Sequence, residues 1–391
     1  TSGDTDPVSR AAPGEVDQGG LEQVSTSDRV ASLTGVRAVA ALLVVATHAA
    51  FGTGAYNLGY LGLVFARMEI GVAIFFVLSG FLLFAPWVRA AAGGGPAPRL
   101  RRYARNRARR ILPAYLVTVV VVYLVYEFRD ATPNPGHTWG GLLRNLTLTQ
   151  VYADDYLTAY LHQGLSQMWS LAVEVAFYAV LPLLAWLLLT VLCRRRWRPG
   201  RLVAGLAALA AISPLWVVLL HGTDWLPRHA GWWLPHYLIW FIGGMMLAVL
   251  AVNGFRCYAV AVLPVAIAAF LVVATPIAGT TASAALSMSE DLAKTLLFAV
   301  VATLVVAPPA LRDTGWYTRL LASRPMVWLG EISYEIFLLH VVLMEIVMVS
   351  VLRWPVFTGS WAGLFAATLA VTIPAAWMLH RLTRPPVSGS R

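Results

Sequence analysis

The chain alternates long apolar runs with short polar stretches. Apolar runs cover roughly 31–51, 68–88, 111–128, 168–192, 202–220, 233–252, 257–276, 290–309, 327–351 and 360–380, most of them near the ~20 residues that a helix needs to cross the hydrocarbon core of a bilayer. They predict an all-α polytopic membrane protein with about ten transmembrane helices. Apolar residues over 58–66 blur the start of the second run. The longest connector, 129–167, carries aromatic residues from Trp139 to Tyr160 and predicts a short helix on or in the outer leaflet. Residues 1–28 are polar and rich in Gly, Pro, Ser and acid, which predicts a disordered cytoplasmic tail. Residues 29–381 read as one transmembrane domain without internal repeats, followed by a short cytoplasmic tail over 382–391.

Composition agrees. Of the 391 residues 59% are hydrophobic and 12% charged, about half the charged share of a soluble domain. Intrinsic disorder is excluded and a water-soluble enzyme disfavoured. The net charge of +10 raises the question of nucleic acid, and the placement of the arginines answers it. Eight fall between Arg89 and Arg110 and five between Arg194 and Arg201, each group just after an apolar run. Such clusters mark cytoplasmic loops, and counted through the short loops they put both termini in the cytoplasm. No polar domain surrounds them as a nucleic-acid surface requires. Cys193 and Cys257 form no disulfide framework, and no residue spacing suits a metal.

Charge inside a bilayer is costly, so the ionisable residues within the runs are the informative ones. Arg37 and His48 lie eleven positions apart, about three turns and ~16 Å along one helix edge. His48 suits proton transfer near neutral pH or, equally, a structural hydrogen bond between helices. Arg37 can bind an anion or snorkel toward headgroups. Glu69 is a further isolated acid. Ser79 and Gly80 offer a place for close helix approach. The arginines from Arg99 to Arg110 exceed what orientation requires, and planar guanidiniums suit phosphates. Ser170 and Glu174 share a helix face, with Glu174 either orienting a partner or pairing with an arginine. Glu331, Tyr334, Glu335 and His340 make the late run unusually polar. The aromatics around Trp225, Trp232, Tyr237 and Trp240 read first as an interfacial belt and second as a ligand platform.

The order of these motifs resembles the acyltransferase-3 family of integral membrane acyltransferases. The resemblance runs from Ser32 to His380. It rests on Leu33 to His48, Gly71 to Leu83, Arg107 with Arg110 to Tyr115, Trp169 to Tyr178, and Leu329 to His340. It implies an acyl-CoA cosubstrate entering from the cytoplasm, no tightly bound cofactor, and an acceptor hydroxyl reached near the outer face. The catalytic expectation is His48 as general base with Glu174 as orienting residue. Arg37, Arg107 and Arg110 would hold the donor, while Glu69, Ser79, Tyr334 and His340 would line the site. The implied activity is transfer of a short acyl group, acetyl first, to a sugar, glycolipid or macrolide-like acceptor in a bacterial inner membrane. Two departures stand out: Ala73 occupies the region where relatives carry an acid, and Glu335 stands where they often carry a small residue. A lipid or glycoconjugate transporter without acyl transfer is the alternative, because buried charge also marks transport pathways.

Overall fold

The computed structural model describes residues 18–129, 134–157, 161–280 and 285–384, with side chains from Arg29 onward. Among them every regular element is helical. The α-helices are α1 (Gln18–Gly52), α2 (Gly59–Arg67), α3 (Ile70–Gly93), α4 (Leu100–Glu127), α5 (Trp139–Leu146), α6 (Trp169–Ala185), α7 (Pro199–Ala210) and α8 (Ile212–Gly222). They continue with α9 (Leu234–Val252), α10 (Ala259–Val273), α11 (Met288–Ala310), α12 (Trp316–Leu321), α13 (Arg324–Glu331), α14 (Ser333–Ile346) and α15 (Trp361–Thr383). Helix α1 takes in part of the segment expected to be a tail, since from Leu21 no Gly or Pro interrupts it until Gly35. Residues 1–17 and 385–391 lie outside the described residues.

Nine segments among the described residues are long and apolar enough to cross a membrane. The tenth run gives only the 15 residues of α10, about 22 Å of helix against a core of ~30 Å. It still passes from one end of the bundle to the other. Just before it, the Cys257 N–H donates to Leu311 O at the end of α11, and its last carbonyl, Val273 O, accepts from Arg67 Nε at 3.0 Å. With α10 added to the nine, the described residues bring the start of α1 and the end of α15 to the end that holds Arg99 to Arg110, here termed the basic end.

Two runs are broken within their length, and a third break falls at the start of the 68–88 run. Met68 and Glu69 separate α2 from α3, and Ala211 separates α7 from α8. The 327–351 run, expected as one span, divides at Ile332 (φ −97°, ψ 5°). Such a break frees backbone carbonyls, and the Ser333 hydroxyl satisfies Gly330 O at 2.8 Å.

Helix α3 is the axis of the bundle, packed on α1, α9 and α11. It crosses α9 where glycines meet: a Cβ on Gly80 would overlap Phe241 O, and one on Gly244 would overlap Val77 O. The close approach read into Ser79 and Gly80 is thus to α9. Phe76 and Phe177 stack on Phe241 at ring separations of 4.3 and 4.0 Å, filling the interior beside this crossing. Between α4 and α6, the expected short helix is α5, capped by the Thr138 hydroxyl, which accepts from Gly141 N at 3.0 Å. Trp139 and Leu143, one turn apart on α5, are exposed, whereas Asn145 is buried. His162 lies buried nearby between the rings of Tyr123 and Tyr126, and burial with His137 beside it pushes its pKa down to about 3.

Candidate active site

One face of α3 lines two cavities in succession. Toward the basic end, Val72, Phe75, Ser79, Leu82 and Leu83 border a cavity of about 240 Å³. The other walls are Arg37 of α1, Arg107 and Arg110 of α4, Ser170, Leu171, Glu174 and Tyr178 of α6, and Ser333, Tyr334 and Phe337 of α14. Its lining runs along α3 from Val72 to Leu83, twelve residues and about 16 Å of helix, so the cavity is an elongated channel. Along α4, Tyr103, Arg107 and Arg110 turn inward at i, i+4 and i+7, while Arg101, Arg102, Arg105 and Arg109 face out. Only two of the arginine excess therefore reach the channel.

Among the described residues none of Arg37, Arg107 and Arg110 forms an ion pair, and Glu174 is the single carboxylate in the lining. Its Oε1 accepts from the Ser79 hydroxyl and, at 2.7 Å, from the Tyr178 hydroxyl. Tyr334 donates to Ile111 O at 3.0 Å, tying α14 to α4. The channel therefore carries uncompensated positive charge with fixed hydroxyls around its one acid. Such a lining favours an anion.

His48 lies beyond the channel's far end, paired with His340. The ring centroids are 4.9 Å apart at 65°. His340 Nδ1 is 2.8 Å from Phe337 O, a pure acceptor, so Nδ1 carries the proton and Nε2 the lone pair. His48 Nδ1 lies 2.8 Å from Val44 O and 3.3 Å from His340 Nε2, both acceptors, so it too is protonated. That leaves the lone pair of His48 on Nε2, which among the described residues has no hydrogen-bond partner. Two neutral imidazoles thus fix a tautomer that presents one free base. Phe337, one turn before His340, lines the channel. Val44, one turn before His48, packs where α1 meets Gly71, the neighbour of Val72. Glu174 does not touch His48, which is oriented by His340 and Val44 O instead.

The second cavity, about 840 Å³, opens on the other side of Val72 toward the end opposite the arginines. Glu69 lines it, paired with Lys294 at 2.6 Å and with Arg67 at 3.8 Å. Arg67 is 2% exposed and donates to Val273 O, Ala278 O and Gly279 O, clasping the turn after α10. The Asp291 carboxylate takes His221 Nε2 at 3.0 Å on one oxygen and His236 Nε2 at 3.2 Å on the other. Trp232, Trp169, Tyr237, Trp240 and Phe298 supply neighbouring aromatic walls, with ring separations of 4.9 to 5.8 Å between successive members. The tryptophans read as a belt accordingly divide: Trp225 is 81% exposed, whereas Trp232 and Trp240 line the cavity.

Of the expected site residues, Arg37, Ser79, Arg107, Arg110, Glu174 and Tyr334 meet in the channel, His48 and His340 form the pair, and Glu69 belongs to the larger cavity. Glu335 belongs to neither. It is 1% exposed and joins α14 to the C-terminal segment through His380 Nδ1 at 3.1 Å and Arg384 at 3.8 Å. Arg67, His221, His236, Asp291 and Lys294 were not singled out as site residues. One signal was available: Lys294 is the only lysine of the chain and stands within an apolar run.

The sequence profile of the acyltransferase domain family matches residues 30–381. Acyltransferase MdmB of Streptomyces mycarofaciens is 28% identical over 384 residues, 92% of this chain and 91% of that protein. Peptidoglycan O-acetyltransferase OatA of Listeria monocytogenes is 29% identical over 215 residues, half of this chain and 30% of that protein. Nodulation protein 10 of Rhizobium leguminosarum bv. viciae is 31% identical over 173 residues, 39% of this chain and 40% of that protein. No solved structure matches. With the family profile spanning nearly the whole bundle and both cavities, the chain belongs to the acyltransferase-3 family and is a multi-pass membrane enzyme that transfers acyl groups.

Proposed function

We propose that the protein moves a short acyl group from acyl-CoA to a hydroxyl of a sugar, glycolipid or macrolide-like acceptor. The donor enters from the basic end, which the positive-inside rule assigns to the cytoplasm. Arg107 and Arg110 hold its phosphates and Arg37 organises the channel behind them. The thioester reaches the far end of the channel, which is lined by Phe337, one turn before His340. The acceptor occupies the larger cavity, whose aromatic walls and hydrogen-bonding groups suit an amphipathic, hydroxyl-bearing molecule. Acetyl is the first choice of acyl group, in keeping with the name of the O-acetyltransferase relative.

In the reaction, His48 Nε2 takes the proton of the acceptor hydroxyl as its oxygen attacks the thioester carbonyl. The tetrahedral intermediate expels the CoA thiolate, and the His48 imidazolium returns the proton to that sulfur. An ester and free CoA result. His340 is the positioning residue, because its Nε2 accepts from His48 Nδ1–H and keeps the other nitrogen basic.

The observation that carries this reading is the unpaired lone pair of His48 Nε2, on a histidine whose partner His340 stands one turn beyond Phe337 of the cationic channel wall. The test is turnover by purified protein in lipid with a panel of short acyl-CoAs and hydroxyl acceptors, read by product mass. Acylated product from the wild type and none from His48→Ala is the expected result. Undiminished product from the variant would remove His48 from the mechanism.

A further inference from the structure

The two cavities share one residue. Glu69 lines the larger cavity, Phe75 and Ser79 line the channel, and Val72 between them borders both. The facing wall changes over at the same level, since Trp169 of α6 borders the larger cavity and Ser170 the channel. We infer that Val72, at the junction of the two cavities, sets the length of acyl group the enzyme accepts. The inference rests on the proposed donor and acceptor sites and deepens that reading.

The side chain is suited to this by stiffness and by anchorage. A valine in a helix is held almost wholly in one χ1 rotamer, so it forms a fixed wall rather than a swinging one. Its neighbour Gly71 lies against the backbone of α1, where a Cβ would overlap Ala40 O, so α3 cannot shift to relieve crowding at Val72. Any change in side-chain volume there becomes a change in the opening. A donor seated in the channel brings its acyl group to the end of that channel, and a short group stops at Val72. Each further methylene must pass Val72 into the space that the acceptor needs.

The test measures binding and turnover together. Unreactive thioether analogues of acyl-CoA with two to eight acyl carbons are titrated against wild type, Val72→Ala and Val72→Leu, and the matching thioesters are compared for turnover. The wild type is expected to favour the shortest chains. Val72→Ala should gain about fourfold for each methylene newly accommodated, the value of one buried methylene, whereas Val72→Leu should tighten the preference for the shortest. Binding of CoA itself should be the same in all three, which also reports that each variant is folded. Should Val72→Ala fail to fold, Val72→Leu still decides. Chain-length profiles that coincide while the wild type turns over acyl-CoA would overturn this inference and leave the proposed function standing. A wild type that neither binds the analogues nor consumes acyl-CoA would overturn both.

Discussion

The channel and the larger cavity handle charge in opposite ways. In the channel three guanidiniums face one carboxylate and none is ion-paired among the described residues. In the larger cavity Glu69 meets Lys294 and Arg67, and the Asp291 carboxylate meets His221 and His236, with Asp224 and Arg228 also in the wall. Leaving cations unpaired in a low-dielectric setting is expensive, and the arrangement is justified by an anionic ligand that compensates them. Pairing Glu69 and Asp291 in place removes that demand there and leaves hydrogen-bonding groups and aromatic faces open to a ligand. The difference supports the proposed division of labour, with an anionic donor in one compartment and a hydroxyl-bearing acceptor in the other.

The largest expected effect comes from the proposed general base. His48→Ala should lower acyl transfer by about 10²- to 10⁴-fold, the usual worth of a positioned general base, while binding of the unreactive donor analogue persists. Next comes the cationic side. Arg107→Ala or Arg110→Ala should each raise the KM for acyl-CoA by about tenfold or more, as expected for loss of a charge-assisted hydrogen bond, with acceptor KM unchanged in steady-state kinetics. An equal rise in both KM values would erase the distinction between compartments. Lys294→Met leaves Glu69 short of its nearest partner and should raise acceptor KM several-fold with donor KM unmoved. Adding Glu69→Gln to it should restore part of the lost thermal stability, because the pair is then removed together rather than broken.

The smallest effect lies outside both compartments. His162 has a depressed pKa, so the unfolded chain binds a proton that the folded one refuses between about 6.5 and about 3. Its neighbours His137, Asn134 and the rings of Tyr123 and Tyr126 give the charged form little relief. Stability from this group is complete above pH 6.5 and falls as the pH drops. The thermal midpoint of the wild type in detergent should therefore decline between pH 7 and 5, and His162→Gln should flatten that slope.

Much of the channel was legible because its residues violate the hydropathy around them. Arg37, His48 and Glu174 stand alone inside apolar runs, where the cost of burial makes each a signal. Arg107 and Arg110 were legible only as part of a crowd, and the inward face of α4 had to be seen to separate them from Arg101, Arg102, Arg105 and Arg109. The larger cavity was hidden for the converse reason. His221, His236 and Asp291 lie near helix ends, where polar residues are ordinary and carry no surprise. Its aromatics match those of an interfacial belt in type, so composition could not distinguish Trp232 from Trp225. The nine long spans among the described residues followed from run length, but the interruptions at Met68, Ala211 and Ile332 did not, because an apolar stretch reads the same whether its helix is continuous or broken.

The crossing of α3 and α9 has a consequence for donor choice. With no Cβ at Gly80 or Gly244, the two backbones meet directly, and neither helix can slide without collision. The interval along α3 between Leu83 and Val72 is therefore a fixed ruler. On the proposed donor site, a donor with a shortened arm would leave its thioester short of the far end of the channel, and one with a lengthened arm would not seat its phosphates on Arg107 and Arg110. On that reading the bundle measures its donor as well as attracting it.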